Sequence, residues 1–335
     1  MNILITGGCG YIGSHLSTFF KKNETVILLD NFSNSKNKVI KNIKSISKSK
    51  IIIINGNAND VILLEKIIKK YNIKNVVHLA ALKSISDSIK YPEMYFENNF
   101  VSTVNVVSAM KKTKCKNLVF SSTAAIYQGS KSTFFKEDNK IFYNLLNPYA
   151  MCKYLSENFL KNVCFVNNNL NVVCLRYFNV AGAHQSEKLG EDPKTNFNNL
   201  FPSIIKSIRS KNHTFKIFGK NYNSKDGTAV RDYVHVNDIA RAHVDSLNFL
   251  KKKNGFHLFN LGTNKGTSVL KVINIFEKIT RMKIKYVFKK KRVGDSEKSV
   301  AHINNAKKIL KWRPLHNIND ICNSTYRYSI NNKDN

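Results

Sequence analysis

A chain of 335 residues, 42% of them hydrophobic, can bury a large core and predicts a globular protein built from a nucleotide domain and a smaller second domain. The net charge of +32 is of the size found in nucleic-acid binders, but its Lys excess comes with much Asn and Ile, as A/T-rich codons would produce. Only 36–50 and 289–292 are densely basic, neither carries the paired aromatics of a base-stacking platform, and the apolar runs fall far short of the roughly 20 residues of a membrane span, so neither a specific nucleic acid nor a membrane is expected as partner.

Ile3, Leu4 and Ile5 form a short apolar run suited to a strand covered on both faces, and it leads into Thr6-Gly7-Gly8-Cys9-Gly10-Tyr11-Ile12-Gly13. The spacing of Gly7, Gly10 and Gly13 leaves backbone bare where a pyrophosphate must approach. A helix over Ser14–Phe20 would turn its first amides toward that anion. A second strand, Thr25–Leu29, ends at Asp30, about 20 residues after the glycines, where a carboxylate bonds an adenosine ribose and repels the extra phosphate of NADP. Strand, glycines, helix and acid together predict a site for NAD.

A polar turn, Asn31–Asn34, and a Lys-rich helical segment follow, then a third strand over Ile51–Ile54, Asn55-Gly56-Asn57 and a helix over Val61–Lys70. Val76–Ala80 reads as the fourth strand, Glu93–Lys112 as one long helix, and Leu118–Phe120 as a fifth strand ending in Ser121-Ser122-Thr123. This alternation predicts an α/β fold with a doubly wound parallel sheet, whose polar loops share one crevice beyond the carboxyl ends of the strands. Leu258–Leu261 reads as a late strand returning to that sheet.

The next helix carries the reactive groups. In Asn147-Pro148-Tyr149-Ala150-Met151-Cys152-Lys153, Asn147 suits an N-cap and Pro148 a first helical residue, so Tyr149 and Lys153 lie four apart on one helix face. Taken alone, the pair reads as a surface Tyr and a surface Lys. Behind a dinucleotide turn and a strand ending in Ser-Ser-Thr, it reads as a catalytic pair.

In chain order, the glycine turn, Leu29-Asp30-Asn31, Leu82-Lys83, Asn98, Ser121-Ser122-Thr123 and Tyr149 to Lys153 resemble the extended short-chain dehydrogenase/reductase family, and the likeness covers nearly the whole chain. Leu175–Asn179, Gly182–His184, Gly190–Pro193, Asn198–Leu200 and Asp226–Val236 are similar to its nucleotide-sugar epimerase branch. The resemblance implies a Rossmann-type domain over 1–178, with return segments near 233–262, and a mainly UDP-sugar-binding domain over 179–335. It also implies a homodimer, NAD as cofactor, and the interconversion of UDP-glucose and UDP-galactose, as in galactose metabolism, by inversion at sugar C4.

By the same resemblance, Gly7, Gly10, Tyr11, Ile12, Gly13, Asp30, Asn31, Asn57, Ala58, Leu79, Ala80, Lys83, Asn98, Tyr149, Lys153, Tyr177 and Phe178 hold the cofactor. Lys83, Thr123, Tyr149, Asn179, Asn199, Leu200 and Lys216-Ile217-Phe218 line the sugar site. Arg231 and Arg292 clamp the diphosphate, Asp295 takes the uridine ribose, and Ser299 lies beside the sugar's 2-substituent, leaving room for an N-acetyl group.

Some positions depart from the family pattern: Asn57-Ala58 replaces an Asp and an apolar residue near the adenine, Gln128 is an extra residue, Ala81 replaces Gly, and Thr123 stands where Ser is frequent. None removes a reacting group. Tyr149, with Lys153 and Thr123, is expected to move the proton of the 4-hydroxyl; ionising a phenol of pKa about 10 at pH 7 asks for about 4 kcal/mol, which one nearby cation almost supplies. A 4,6-dehydratase or decarboxylase would place acids after Thr123, where this chain has Ala124 and Ala125. A silent NAD-binding protein recruited to RNA or another partner is the other alternative, disfavoured by the retained Tyr149, Lys153, Arg231 and Arg292. Six scattered cysteines without zinc or C-x-x-C spacing, and a first strand with no basic or cleavage-like segment before it, suggest a cytoplasmic protein without a metal site.

Overall fold

Short aliphatic runs alternate with amphipathic segments in the first half of the chain, and each run becomes a strand. The computed structural model describes residues 1–166, 170–192, 199–210, 213–292 and 295–332; Pro193 and Asn198, from the family-like stretches, and Val293 and Gly294, between Arg292 and Asp295, lie outside the described residues. The order is β1 (Asn2–Thr6), α1 (Tyr11–Leu16), β2 (Thr25–Asp30), α2 (Lys38–Ile46), β3 (Lys50–Asn55), α3 (Val61–Lys70), β4 (Asn75–His78), α4 (Ile85–Lys90), α5 (Pro92–Tyr95), α6 (Ser102–Lys112) and β5 (Asn117–Thr123). It continues through β6 (Phe134–Phe135), α7 (Pro148–Val166), β7 (Asn171–Tyr177), β8 (Asn179–Ala181), α8 (Leu200–Arg209), β9 (Phe215–Phe218), β10 (Val230–Arg231), β11 (Tyr233–His235) and α9 (Val236–Leu250). The last part holds β12 (Phe256–Leu261), β13 (Thr267–Ser268), α10 (Val269–Thr280), β14 (Tyr286–Lys289), β15 (Lys298–Ala301), α11 (Asn304–Lys308) and α12 (Ile318–Asn331).

Seven parallel strands form the central sheet in the order β12-β7-β5-β4-β1-β2-β3. Because successive side chains point to opposite faces, Ile3, Ile5, Val77, Val119 and Val173 pack in one apolar layer and Leu4, Ile27, Val76, Leu118 and Val172 in the other. The chain leaves β1 toward β2 on one side and comes back as β4 on the other, so the strand order reverses between them and opens a crevice at their carboxyl ends. β12 pairs with β7 from Phe256 to Leu261, so the expected late strand closes the edge of the sheet. A separate apolar cluster, which includes Phe201, Ile204, Ile217, Tyr233, Phe276 and Ile321, forms the core of the second lobe.

Two helices differ from the sequence expectation. The first starts at Tyr11, directly behind the glycines, and tightens to a 3-10 turn over Ser17–Phe19, where the Ser17 and Thr18 hydroxyls bond back to the Ser14 and His15 carbonyls. The segment expected as one helix over Glu93–Lys112 is interrupted by a π turn at Phe96–Val101. Side chains stitch that turn: Asn98 donates to the Met94 carbonyl, and Ser102 and Thr103 donate to the Asn98 and Asn99 carbonyls.

Candidate active site

At the end of β1 the chain must reverse beside β4. Gly7 does so at φ +67°, and a Cβ there would lie 2.8 Å from the Ala80 amide nitrogen; at Gly13 a Cβ would come within 2.5 Å of the Gly7 carbonyl. The turn is therefore a bare backbone cradle packed on Leu79 and Ala80, whose amides bond the Thr6 carbonyl and hydroxyl. Asp30 ends β2 beside it. Its Oδ2 accepts from the Cys9 amide at 2.9 Å, and its Oδ1 accepts from the Phe32 amide at 2.9 Å and the Ser35 hydroxyl at 3.0 Å. The carboxylate is thereby aimed across the glycine turn with part of its accepting capacity left, as a ribose contact requires, so the residues present fit a dinucleotide. Tyr11 donates to the Gly182 carbonyl at 2.6 Å and joins the turn to the second lobe, while Ile12 packs against the core. Asn31 and Asn57 stand exposed with their side-chain oxygens bonded to local amides, beside a buried Ala58. The amide of Asn98 is spent within the π turn.

The carboxyl end of β5 and the start of α7 bring the reactive groups together. Asn147 Oδ1 accepts from the Ala150 amide at 3.0 Å and so caps the helix; Gln128, the residue extra to the family pattern, accepts from the Asn147 side-chain amide at 2.7 Å. Tyr149 then sits at the end of β5, with its hydroxyl close enough to Thr123 to interact with it. Burial raises the Tyr149 phenol above its usual range, against the Thr123 interaction, and nearby Tyr95 adds to the rise. Lys153, one turn on, is only 2% exposed; its Nζ donates to the Ser121 carbonyl at 2.7 Å and lies 4.7 Å from the centre of the Phe120 ring. Burial pulls its pKa down to about 8.

On β7, register pairs Thr123 with Tyr177, whose hydroxyl meets His243 Nε2 at 2.6 Å. Phe178 packs into an aromatic group with Tyr127 and Phe135.

In the second lobe, Asn179 is exposed on β8 next to the sheet. Lys83 and Asn199, far apart in sequence, both donate to Glu191, Lys83 at 2.9 Å. Asn199 stands just before α8 without a side-chain cap bond, and Leu200 is the helix's first residue. On β9, Lys216 is exposed, Ile217 is turned into the lobe's core with its side chain 1% exposed, and Phe218 lies under the Arg292 guanidinium at 4.0 Å. Arg231 pairs with Asp295, which also accepts from the Tyr222 hydroxyl at 3.2 Å. Ser299 is the ladder partner of Arg231. The two cations, Asp295 and Ser299 thus share one edge of the lobe.

The sequence matches the model of the NAD dependent epimerase/dehydratase family over residues 3–262. The chain belongs to this family. It is 37% identical to the UDP-glucose 4-epimerase of Dictyostelium discoideum over 97% of this chain and 95% of that one. The crystal structure of UDP-glucose 4-epimerase from Bifidobacterium longum in complex with NAD+ and UDP superposes with a TM-score of 0.94 at 34% identity, covering 100% of this chain and 99% of that one. The UDP-Glc/GlcNAc 4-epimerase of Campylobacter jejuni superposes with a TM-score of 0.84 at 30% identity, over 98% and 99% of the two chains.

Within this epimerase/dehydratase scaffold, sequence reasoning passed over several groups that hold the named residues in place. Ser35 and the Cys9 amide orient Asp30, Gln128 steadies the cap of α7, His243 engages Tyr177, and Glu191 gathers Lys83 and Asn199. Glu157 was visible in principle as the next residue at four-residue spacing after Lys153, but its partner Arg176 comes from a strand no local pattern connects to it.

Proposed function

We propose that the protein is an NAD-dependent 4-epimerase that interconverts UDP-glucose and UDP-galactose. The observation that carries this reading is the Thr123–Tyr149 contact over the end of β5, followed by an Ala124–Tyr127 turn without any acid. A sugar oxidised at C4 at that place can be reduced again, but the turn offers no carboxylic acid and its one hydroxyl, that of Tyr127, is buried and held by Arg176 and Asn260, so inversion is favoured over dehydration.

The glycine turn, Asp30, Tyr149, Lys153 and the end of β7 would hold NAD. When bound, NAD supplies the acceptor and donor of the C4 hydride. Tyr149 takes the proton of the 4-hydroxyl, with Thr123 passing or steadying it. Since burial opposes the phenolate, Lys153 provides the compensating cation, oriented by the Ser121 carbonyl. The 4-keto sugar then turns within the pocket, and Tyr149 returns the proton when the opposite face is reduced. Arg231 and Arg292 hold the diphosphate through planar forks that match its oxygens, so the sugar can turn without the nucleotide leaving.

Ser299, beside Arg231, leaves space at the sugar's 2-position, and the Campylobacter jejuni relative is named for both UDP-Glc and UDP-GlcNAc. We extend the reading to the N-acetyl hexosamines on that basis. A homodimer is proposed through α5, the π turn after it and α7, where Met94, Val101, Phe165 and Val166 stand exposed. Six free, buried cysteines support a cytoplasmic setting. Purified protein incubated with UDP-galactose and no added nicotinamide, then with added NAD, tests the activity: UDP-glucose must accumulate to an equilibrium mixture without net consumption of NAD, and a 4-keto-6-deoxy product would instead establish a dehydratase.

A further inference from the structure

One turn beyond Lys153 on α7, Glu157 is buried in an ion pair that the proposed reaction does not use. Its two oxygens accept from Arg176 of β7, Oε1 from Nε at 2.9 Å and Oε2 from Nη2 at 2.6 Å, and the Ser122 hydroxyl of β5 donates to Oε1 as well. Both side chains of the pair are 5% exposed. Arg176 donates further to the Tyr127 hydroxyl at 2.8 Å and the Glu137 carbonyl at 3.1 Å, and Tyr127 donates to Asn260 of β12 at 2.8 Å. A pair so deeply buried pays heavily in lost hydration and is a poor source of net stability. Its placement supplies a different reason for it. Ser122 lies between Ser121, which receives Lys153, and Thr123, which meets Tyr149, and its ladder partner is Arg176 itself.

We propose that Glu157, gripped by Arg176, is a positioning residue: it keeps Lys153 charged in an apolar site and fixes α7 against β5, so that Tyr149 stays on Thr123. The inference rests on the epimerase reading. The surroundings of Lys153 support it from every element packed there. β4 contributes His78, β5 the Phe120 ring and the Ser121 carbonyl, β7 Cys174, and α7 itself Cys152 and Glu157. Burial drives His78 toward the neutral form, to about 3, and raises both thiols, so Glu157 is the carboxylate that acts on the ammonium; burial pulls Lys153 down while Cys152, Cys174 and Glu157 pull it up. Four-residue spacing on a helix sets the two charges on the same face.

The experiment compares the wild type with Glu157→Gln, an isosteric change that removes the charge and leaves an amide to bond Ser122. The Lys153 titration is followed by NMR in protein labelled with carbon-13 at the lysine side-chain end, its signal assigned by loss in Lys153→Met. In Glu157→Gln the titration must move to lower pH by about one unit, and the alkaline limb of kcat for UDP-galactose must follow it while KM stays within about twofold. An unmoved titration overturns the proposal. If Glu157→Gln does not fold, Arg176→Lys decides, because it keeps the cation but loses the two-pronged grip: kcat must fall about tenfold at unchanged KM with Lys153 titrating as before, and an unchanged kcat overturns the positioning role. Absence of epimerisation in the wild type would sink the functional reading, yet the NMR titration would still report on Glu157.

Discussion

In the proposed reaction Tyr149 gives up a proton in a site whose burial raises its pKa, helped by groups that other elements fix. Tyr149→Phe removes only the hydroxyl from a ring held by packing, so the variant should fold and bind NAD while epimerisation falls by at least about a hundredfold, the usual worth of a positioned acid or base; turnover near the wild-type rate in a UDP-galactose assay would end the proposed role. In the proposed function Ser299 acts by its size. As the ladder partner of Arg231 it borders the proposed diphosphate clamp, so Ser299→Tyr should abolish turnover of the N-acetyl sugars and spare UDP-galactose. Parallel rate measurements on both substrates check this, and equal loss of the two activities would count against it. These residues were legible in the sequence through the family resemblance. Their supports were not, because Gln128, His243 and Arg176 act across the fold, and local spacing carries no trace of a contact between distant segments.

In the proposed function, cofactor binding depends on the glycine turn. A methyl group at Gly13 would meet backbone atoms, the Gly7 carbonyl and Gly8 Cα, neither of which can swing aside. Forcing it in costs about 1–3 kcal/mol of overpacking, so Gly13→Ala should open the turn and weaken NAD by at least about tenfold, measured by calorimetric titration of protein stripped of nucleotide. Six of the seven strands of the central sheet and the start of α7 could be read from apolar runs and a capping residue; β7 was not read as a strand. The π turn could not, since it arises where Asn98, Ser102 and Thr103 compete for backbone carbonyls inside a segment of helical pattern. The small sheet of β13, β10, β15 and β6 was equally hidden: strands of two residues, such as Val230–Arg231, are too short to alternate and exist only because neighbours pair with them.

At the scale of the whole molecule, four buried imidazoles make the fold sensitive to acid. Burial lowers His15, His78 and His235 to about 3 and His243 to about 4 from an ordinary 6.5. Between those values the unfolded chain binds more protons than the folded one, so stability drops with falling pH by about 1.4 kcal/mol per pH unit for each ring. His316 runs the other way: its bond to Asp238 raises its pKa, and the stability it adds is full below its unfolded value and lost as pH rises through the folded one. The four outweigh the one, so thermal melts should show a much lower midpoint at pH 5 than at pH 7, and equal midpoints would refute the balance. The position of β12 reaches beyond the folded state. Its residues, Phe256–Leu261, are the outer neighbour of β7, although more than seventy residues, those of α8, β9 and α9 among them, are synthesised between the two. A nascent chain that has emerged only to residue 178 therefore presents Asn171–Tyr177 as a bare apolar edge, open to pairing with another chain. The central sheet cannot be completed on the ribosome until Leu261 has emerged, and a gene cut after residue 178 should yield aggregate where the whole chain folds.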